Sequence, residues 1–78
     1  MIEEKREFIY ALRDALRLDP GSGVRDIEII ADKGLEIIVI LYRGGRSSRI
    51  NATGNSGGAN ALEIIREVYF SGAHGRMR

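Results

Sequence analysis

Two glycine-marked turns, Asp32-Lys33-Gly34 and Gly44-Gly45, divide the middle of the chain into three runs rich in β-branched residues. Connections this short join antiparallel neighbours, so residues 24–32, 35–43 and the run ending at Ala52 are expected to form a meander. A type I turn with Gly34 in the left-handed region makes a three-residue loop. It pairs Ala31 with Leu35, Ile29 with Ile37 and Ile27 with Val39. Gly44 and Gly45, both at positive φ, make a two-residue loop. That loop sets Ser48 against Leu41, Ile50 against Val39 and Ala52 against Ile37. Both turns therefore place Ile29, Ile37 and Val39 on one buried face, and a slip of one residue turns a strand over. The face left open then carries Ile38, Ile40 and Tyr42 along the central strand. Asp26 and Glu28 flank that ridge on one side, Arg49 and Asn51 on the other.

Helical spacing brackets the strands. Phe8, Ile9, Leu12, Ala15 and Leu16 form an apolar stripe over residues 2–18, with Tyr10 on the polar side. Asp19-Pro20-Gly21-Ser22-Gly23 ends this helix. A second helix is expected over 57–71, with Ala61, Leu62, Ile65, Val68 and Tyr69 inward. Ser56 or Asn55 can cap it and Gly72 can terminate it. The fold class is thus α+β, order α-β-β-β-α, with both helices on one face of the three-stranded antiparallel meander. One domain covers 1–72, and 73–78 read as a disordered basic tail.

At 78 residues the chain holds a small core and a thin stability margin. Having no cysteine, it has neither disulfides nor thiolate zinc sites to add to that margin, which leaves self-association as one route. No apolar run approaches the roughly 20 residues of a membrane span, and the N-terminus lacks the apolar stretch of a signal peptide. A cytoplasmic location is expected. Net charge is +1, but residues 1–36 hold six Lys/Arg against nine Asp/Glu, whereas 37–78 hold six Arg against Glu63 and Glu67. The basic second half suits an anionic partner, or an attraction between the two halves.

Thr53-Gly54-Asn55-Ser56-Gly57-Gly58 leads into a helix N-terminus, where unpaired N–H groups and the helix dipole favour an anion. Gly54, Asn55, Ser56 and Gly57, with Arg43, Arg46 and Arg49 as counter-charge, are the candidate anion site. The plainer reading is a β-to-α connection capped by Ser56. The glycines lack the lysine and spacing of nucleotide-binding loops. Gly54-Asn55-Ser56-Gly57-Gly58 also resembles the nucleophile loop of trypsin-like proteases, but the sole histidine, His74, sits in the glycine-flanked tail without an orienting carboxylate. No catalytic residue, metal ligand or cofactor is assigned.

The α-β-β-β-α order over about residues 4–70 resembles the double-stranded-RNA-binding domain. Gly54-Asn55-Ser56-Gly57-Gly58-Ala59-Asn60-Ala61 is similar to that family's Gly-x-Ser-Lys-Lys-x-Ala-Lys entry into its second helix. The resemblance implies two helices on one sheet face and a nucleic-acid partner; the family's phosphate-binding lysines fall here on Gly57, Gly58 and Ala61 or Asn60. Residues 49–68 also look like short proteins carried on bacterial mobile elements. Two functional expectations result. The first is a non-enzymatic interaction module, a homodimer or a binder of a protein partner, using the ridge of Ile38, Ile40 and Tyr42 or a sheet edge. The second is a weak nucleic-acid or phosphate binder using the arginines and the glycine loop.

Overall fold

The structure, a computed structural model, describes residues 2–70. Helix α1 (Ile2–Arg17) is followed by a 3-10 turn (Pro20–Ser22), strands β1 (Val24–Asp32), β2 (Leu35–Tyr42) and β3 (Ser47–Asn51), and helix α2 (Gly57–Phe70). The strands form one antiparallel sheet in the order β1-β2-β3. The expected α-β-β-β-α order and α+β class are therefore present. Residues 71–78, which contain His74, Arg76 and Arg78 and the expected helix stop at Gly72, lie outside the described residues.

Both hairpins differ from expectation by one residue, in opposite senses. Asp32 pairs with Leu35, so the first loop is Lys33-Gly34 alone, with φ of 53° and 82°. Two consecutive positive φ values define the turn whose twist matches that of the flanking strands, and here a lysine accepts the left-handed region. At the second hairpin Leu41 pairs with Ser47, and Tyr42 N–H donates to Arg46 C=O at 2.8 Å. The loop therefore contains Arg43 as well as the two glycines, closed by Gly45 N–H on Tyr42 C=O at 3.2 Å. The two offsets cancel across the sheet. Strands β1 and β3 keep the face expected of them, and β2 alone is turned over.

The core follows from that inversion. Ile9 and Leu16 of α1, Val24, Ile27 and Ile29 of β1, Ile38, Ile40 and Tyr42 of β2, Ala52, and Ile64 and Val68 of α2 are all buried. The ridge of Ile38, Ile40 and Tyr42 is thus the centre of the core, at 0–1% exposure, and is no interaction surface. Period-two reasoning could not separate the faces of β2, because both are apolar along most of their length. Glu36 is the polar residue on the core side, and it stays at the rim, where Lys5 pairs with it. A bulge at Arg25 separates the pairs Val24–Tyr42 and Asp26–Leu41. The extra residue changes the parity of β1 and returns Val24 to the core face.

Each helix also departs from its expected stripe. In α2 the inward positions are Asn60, Ile64 and Val68, while Leu62 is 65% exposed. In α1, Tyr10 packs against the core edge and carries the Arg13 guanidinium 4.5 Å above its ring, and Phe8 is half-exposed. Phe8 instead lies against α2: a Cβ placed on Gly57 would meet Phe8 Cδ2 at 3.0 Å, so a glycine is what lets the helices approach there.

Two buried polar side chains stand in opposite states. Ser22 Oγ donates to Leu16 C=O at 2.7 Å and accepts from Val24 N–H at 3.0 Å, joining the end of α1 to the start of β1. Asn60 is equally buried, yet neither its amide nitrogen nor its oxygen has a hydrogen-bond partner.

Candidate interaction surface

Inverting β2 exchanges one apolar ridge for another. The sheet face turned away from the helices now carries Leu35, Ile37, Val39 and Leu41 of β2, with Ile30 of β1 beside Ile37. Ile30 and Leu35 are 48% and 55% exposed, and Ile37, Val39 and Leu41 are partly so. Asp26, Glu28 and Asp32 line the β1 side of this ridge, and Ser47, Arg49 and Asn51 the β3 side. The cross-strand rows are Asp26–Leu41–Ser47, Glu28–Val39–Arg49 and Ile30–Ile37–Asn51. Arg13 Nη1 stands 3.7 Å from Asp26 Oδ1, and Tyr10 Oη donates to Glu28 Oε1 at 3.4 Å. Among the described residues Glu28 meets no cation and Arg49 no carboxylate within ion-pair distance.

The outer edge of β1 is partly closed. In a two-residue hairpin the residues flanking the loop exchange both bonds, so alternate residues from Asp32 bond β2 and Ile29 turns its carbonyl outward. Arg6 Nη1 donates to that carbonyl at 2.9 Å, placing a guanidinium on the edge a second strand would need.

The glycine loop is a structural junction. Ser56 Oγ accepts from Ala59 N–H at 3.1 Å, and Asn60 N–H donates to Ser56 C=O at 3.0 Å, so Ser56 is the cap of α2. Gly54, at φ 79°, sits in a turn closed by Asn55 N–H on Ala52 C=O at 3.2 Å. Thr53 Oγ1 accepts from Glu36 N–H at 2.9 Å. Lys5 Nζ, besides pairing with Glu36, donates to Ala52 C=O at 3.1 Å. Asn55, Ser56 and Gly57 border a shallow hollow of about 430 Å³ with Gly58, Phe8, Lys5 and Glu4. Its one cation is already engaged, and Glu4 brings negative charge to it.

The arginines expected beside this loop are elsewhere. Arg43 and Arg46 belong to the β2–β3 hairpin, and all of β3 separates them from Gly54, about 17 Å of strand. Arg49 projects from the middle of β3 and borders a different groove, about 370 Å³, between β3 and α2. Arg66 shares that groove with Glu63, Glu67 and Phe70, so its charge is mixed. Ser48 Oγ donates to Glu67 Oε2 at 2.8 Å and lies 3.5 Å from Tyr42 Oη. Burial holds the Tyr42 phenol above its usual pKa of 10.0, with the nearby Ser48 hydroxyl opposing.

No helix among the described residues is long and apolar enough to cross a membrane, and no three acidic or histidine side chains there gather as a metal site. The class defined is a three-stranded antiparallel sheet with two helices on one face and an apolar opposite face. Compared with known proteins, the chain matches no family model, no curated protein and no solved structure.

Proposed function

We infer that the protein is a small interaction module that works by binding rather than catalysis, and that the bare face of its sheet is where it binds. The observation that carries this reading is the continuous apolar line of Leu35, Ile37, Val39 and Leu41 on the solvent side of β2. Period-two alternation normally puts polar residues on a solvated face. A chain this small that keeps an apolar line in water has a use for it, because such a patch otherwise invites nonspecific association. The positions the double-stranded-RNA-binding family fills with lysine do not support the nucleic-acid alternative: Asn60 is buried, and Gly57 and Gly58 have no side chain to offer.

The test is methyl NMR of the chain at low micromolar concentration with a soluble paramagnetic agent. Strong relaxation at Ile37, Val39 and Leu41, with Ile38 and Ile40 protected, is the expected result. Should Val39 be as protected as Ile38 in the dilute monomer, the chain itself seals this face and the reading fails.

A further inference from the structure

We propose that the occupant of the open sheet face is a second copy of this chain, related by a two-fold axis lying along β2. The proposal rests on the preceding reading of that face and adds a partner and a geometry.

The charge pattern selects the partner. Carboxylates occupy one flank of the apolar ridge, Asp26, Glu28 and Asp32 on β1, while the cation on the opposite flank is Arg49 on β3. Two sheets packed face to face can be related by a two-fold axis along the strands or by one across them. An axis across the strands lays β1 over its own copy and sets acid against acid, which is repulsive. An axis along β2 lays β1 over the partner's β3 and keeps every cross-strand row at its own level. Glu28 and Arg49 share one row with Val39 between them. The axis along β2 therefore brings Glu28 over Arg49 of the other copy, and Arg49 over the other copy's Glu28. These are the two charged groups of that row which lack an ion-pair partner of their own.

The remaining rows agree. Asp26 faces a hydroxyl at Ser47, Ile30 faces Asn51 at the rim, and Leu41, Val39, Ile37 and Leu35 each meet their own counterparts on the axis. Face-to-face sheets pack within about 30° of parallel. The Glu28–Val39–Arg49 row is near the middle of β2, so a rotation of that size moves it least.

The available area sets the strength. Strands of nine, eight and five residues, about 4.8 Å apart and rising about 3.4 Å per residue, present on the order of 350 Å² of sheet plane per copy. A stable dimer ordinarily buries about 800 Å² per partner. The complex is therefore weak, forming at micromolar to millimolar concentration and exchanging quickly.

Sedimentation equilibrium of the full chain up to about 1 mM, the upper end of that weak range, tests this. Glu28→Arg and Arg49→Glu stand on exposed positions, and circular dichroism checks that both variants fold. Each is expected to weaken self-association at least about tenfold, because each makes two like-charge contacts per dimer. The double variant Glu28→Arg/Arg49→Glu restores it. An equimolar mixture of the two single variants forms a heterodimer although neither associates alone, because both rows are then oppositely charged. A wild-type chain that stays monomeric through the range, or a dimer indifferent to both reversals, overturns the proposal. If the Val39 methyls stay open to the relaxation agent at every concentration, this dimer fails while the open face stands. If they are closed in the dilute monomer, the face itself was misread.

Discussion

Ser22→Ala removes one oxygen from the junction of α1 and β1, and the structure says what that oxygen does. Ser22 Oγ is the 3.0 Å acceptor for the N–H of Val24, a residue with no exposed surface. It also donates to Leu16 C=O, but that carbonyl keeps Asp19 N–H at 3.1 Å after the change. The loss is therefore uneven, with one group still bonded and the other stranded where water does not reach. An orphaned buried donor costs about 1–3 kcal/mol, and the lost second bond adds about 0.5–1 kcal/mol. The sum is about 1.5–4 kcal/mol. For a domain of this size each kcal/mol moves the thermal midpoint by roughly 4–8 °C, so Tm should fall by roughly 6–30 °C. Urea unfolding followed by circular dichroism should show the lower midpoint with the slope m unchanged. A variant within about 0.5 kcal/mol of the parent would refute the reasoning, since that is the range of an ordinary surface substitution.

Asn60→Leu should act in the opposite direction, raising stability by about 1–2 kcal/mol in the same urea assay, because it deletes an amide buried without partners. Lys33→Asn should add about 0.5–1 kcal/mol by giving the left-handed turn position a residue that tolerates it, read from the shift in midpoint. Gly58→Ala should stabilise by about 0.4–1 kcal/mol, since its Cβ meets nothing nearer than Ser56 Oγ at 3.9 Å, whereas Gly57→Ala should lose that gain against Phe8. The Asp19 carboxyl lies below its usual pKa of 3.8, held there first by the Tyr69 hydroxyl and then by Gly21 N–H. A depressed acid contributes stability above its unfolded pKa and loses it as pH falls through the folded one. Acid titration of Tyr69→Phe should therefore show less loss of stability below pH 3.8 than the parent.

The layering was legible because three independent signals carried it: the glycine turns, the helical stripes on either side, and the cap at Ser56. The orientation of β2 was not, and the reason is chemical. Leu35, Ile37, Val39 and Leu41 on one side and Ile38, Ile40 and Tyr42 on the other are equally good core residues, so alternation had nothing to distinguish. What decides is loop length, and loop length here turned on two positions with weak signals. Lys33 is an unusual occupant of positive φ, and Arg43 looks like a strand end although it belongs to the turn. Of the two readings of the glycine loop, anion site and cap, the hydrogen bonds show the cap at Ser56, and closeness in sequence does not bring the arginines to it. Strand β3 carries that sequence the length of the sheet, and no property of an arginine reveals which end it is on. The burial of Asn60 is not legible because its type usually marks a surface, and the stripe that buries it is rotated by one residue, about 100°, from the one that starts at Ala61.

A β2 that is greasy on both sides has a kinetic corollary. If β2 slides by a single residue, the first loop lengthens as the second shortens, β1 and β3 stay put, and the helices still find hydrocarbon beneath them. A strand-slip isomer of the same sequence is therefore the expected minor species. Lys33, strained at positive φ in the shorter first loop, favours the isomer, and the loss of the Glu36–Lys5 pair, whose carboxylate would rotate to the open side, opposes it. Exchange spectroscopy on the Val39 methyls would expose the minor species, and Lys33→Asn should deplete it by favouring the shorter first loop.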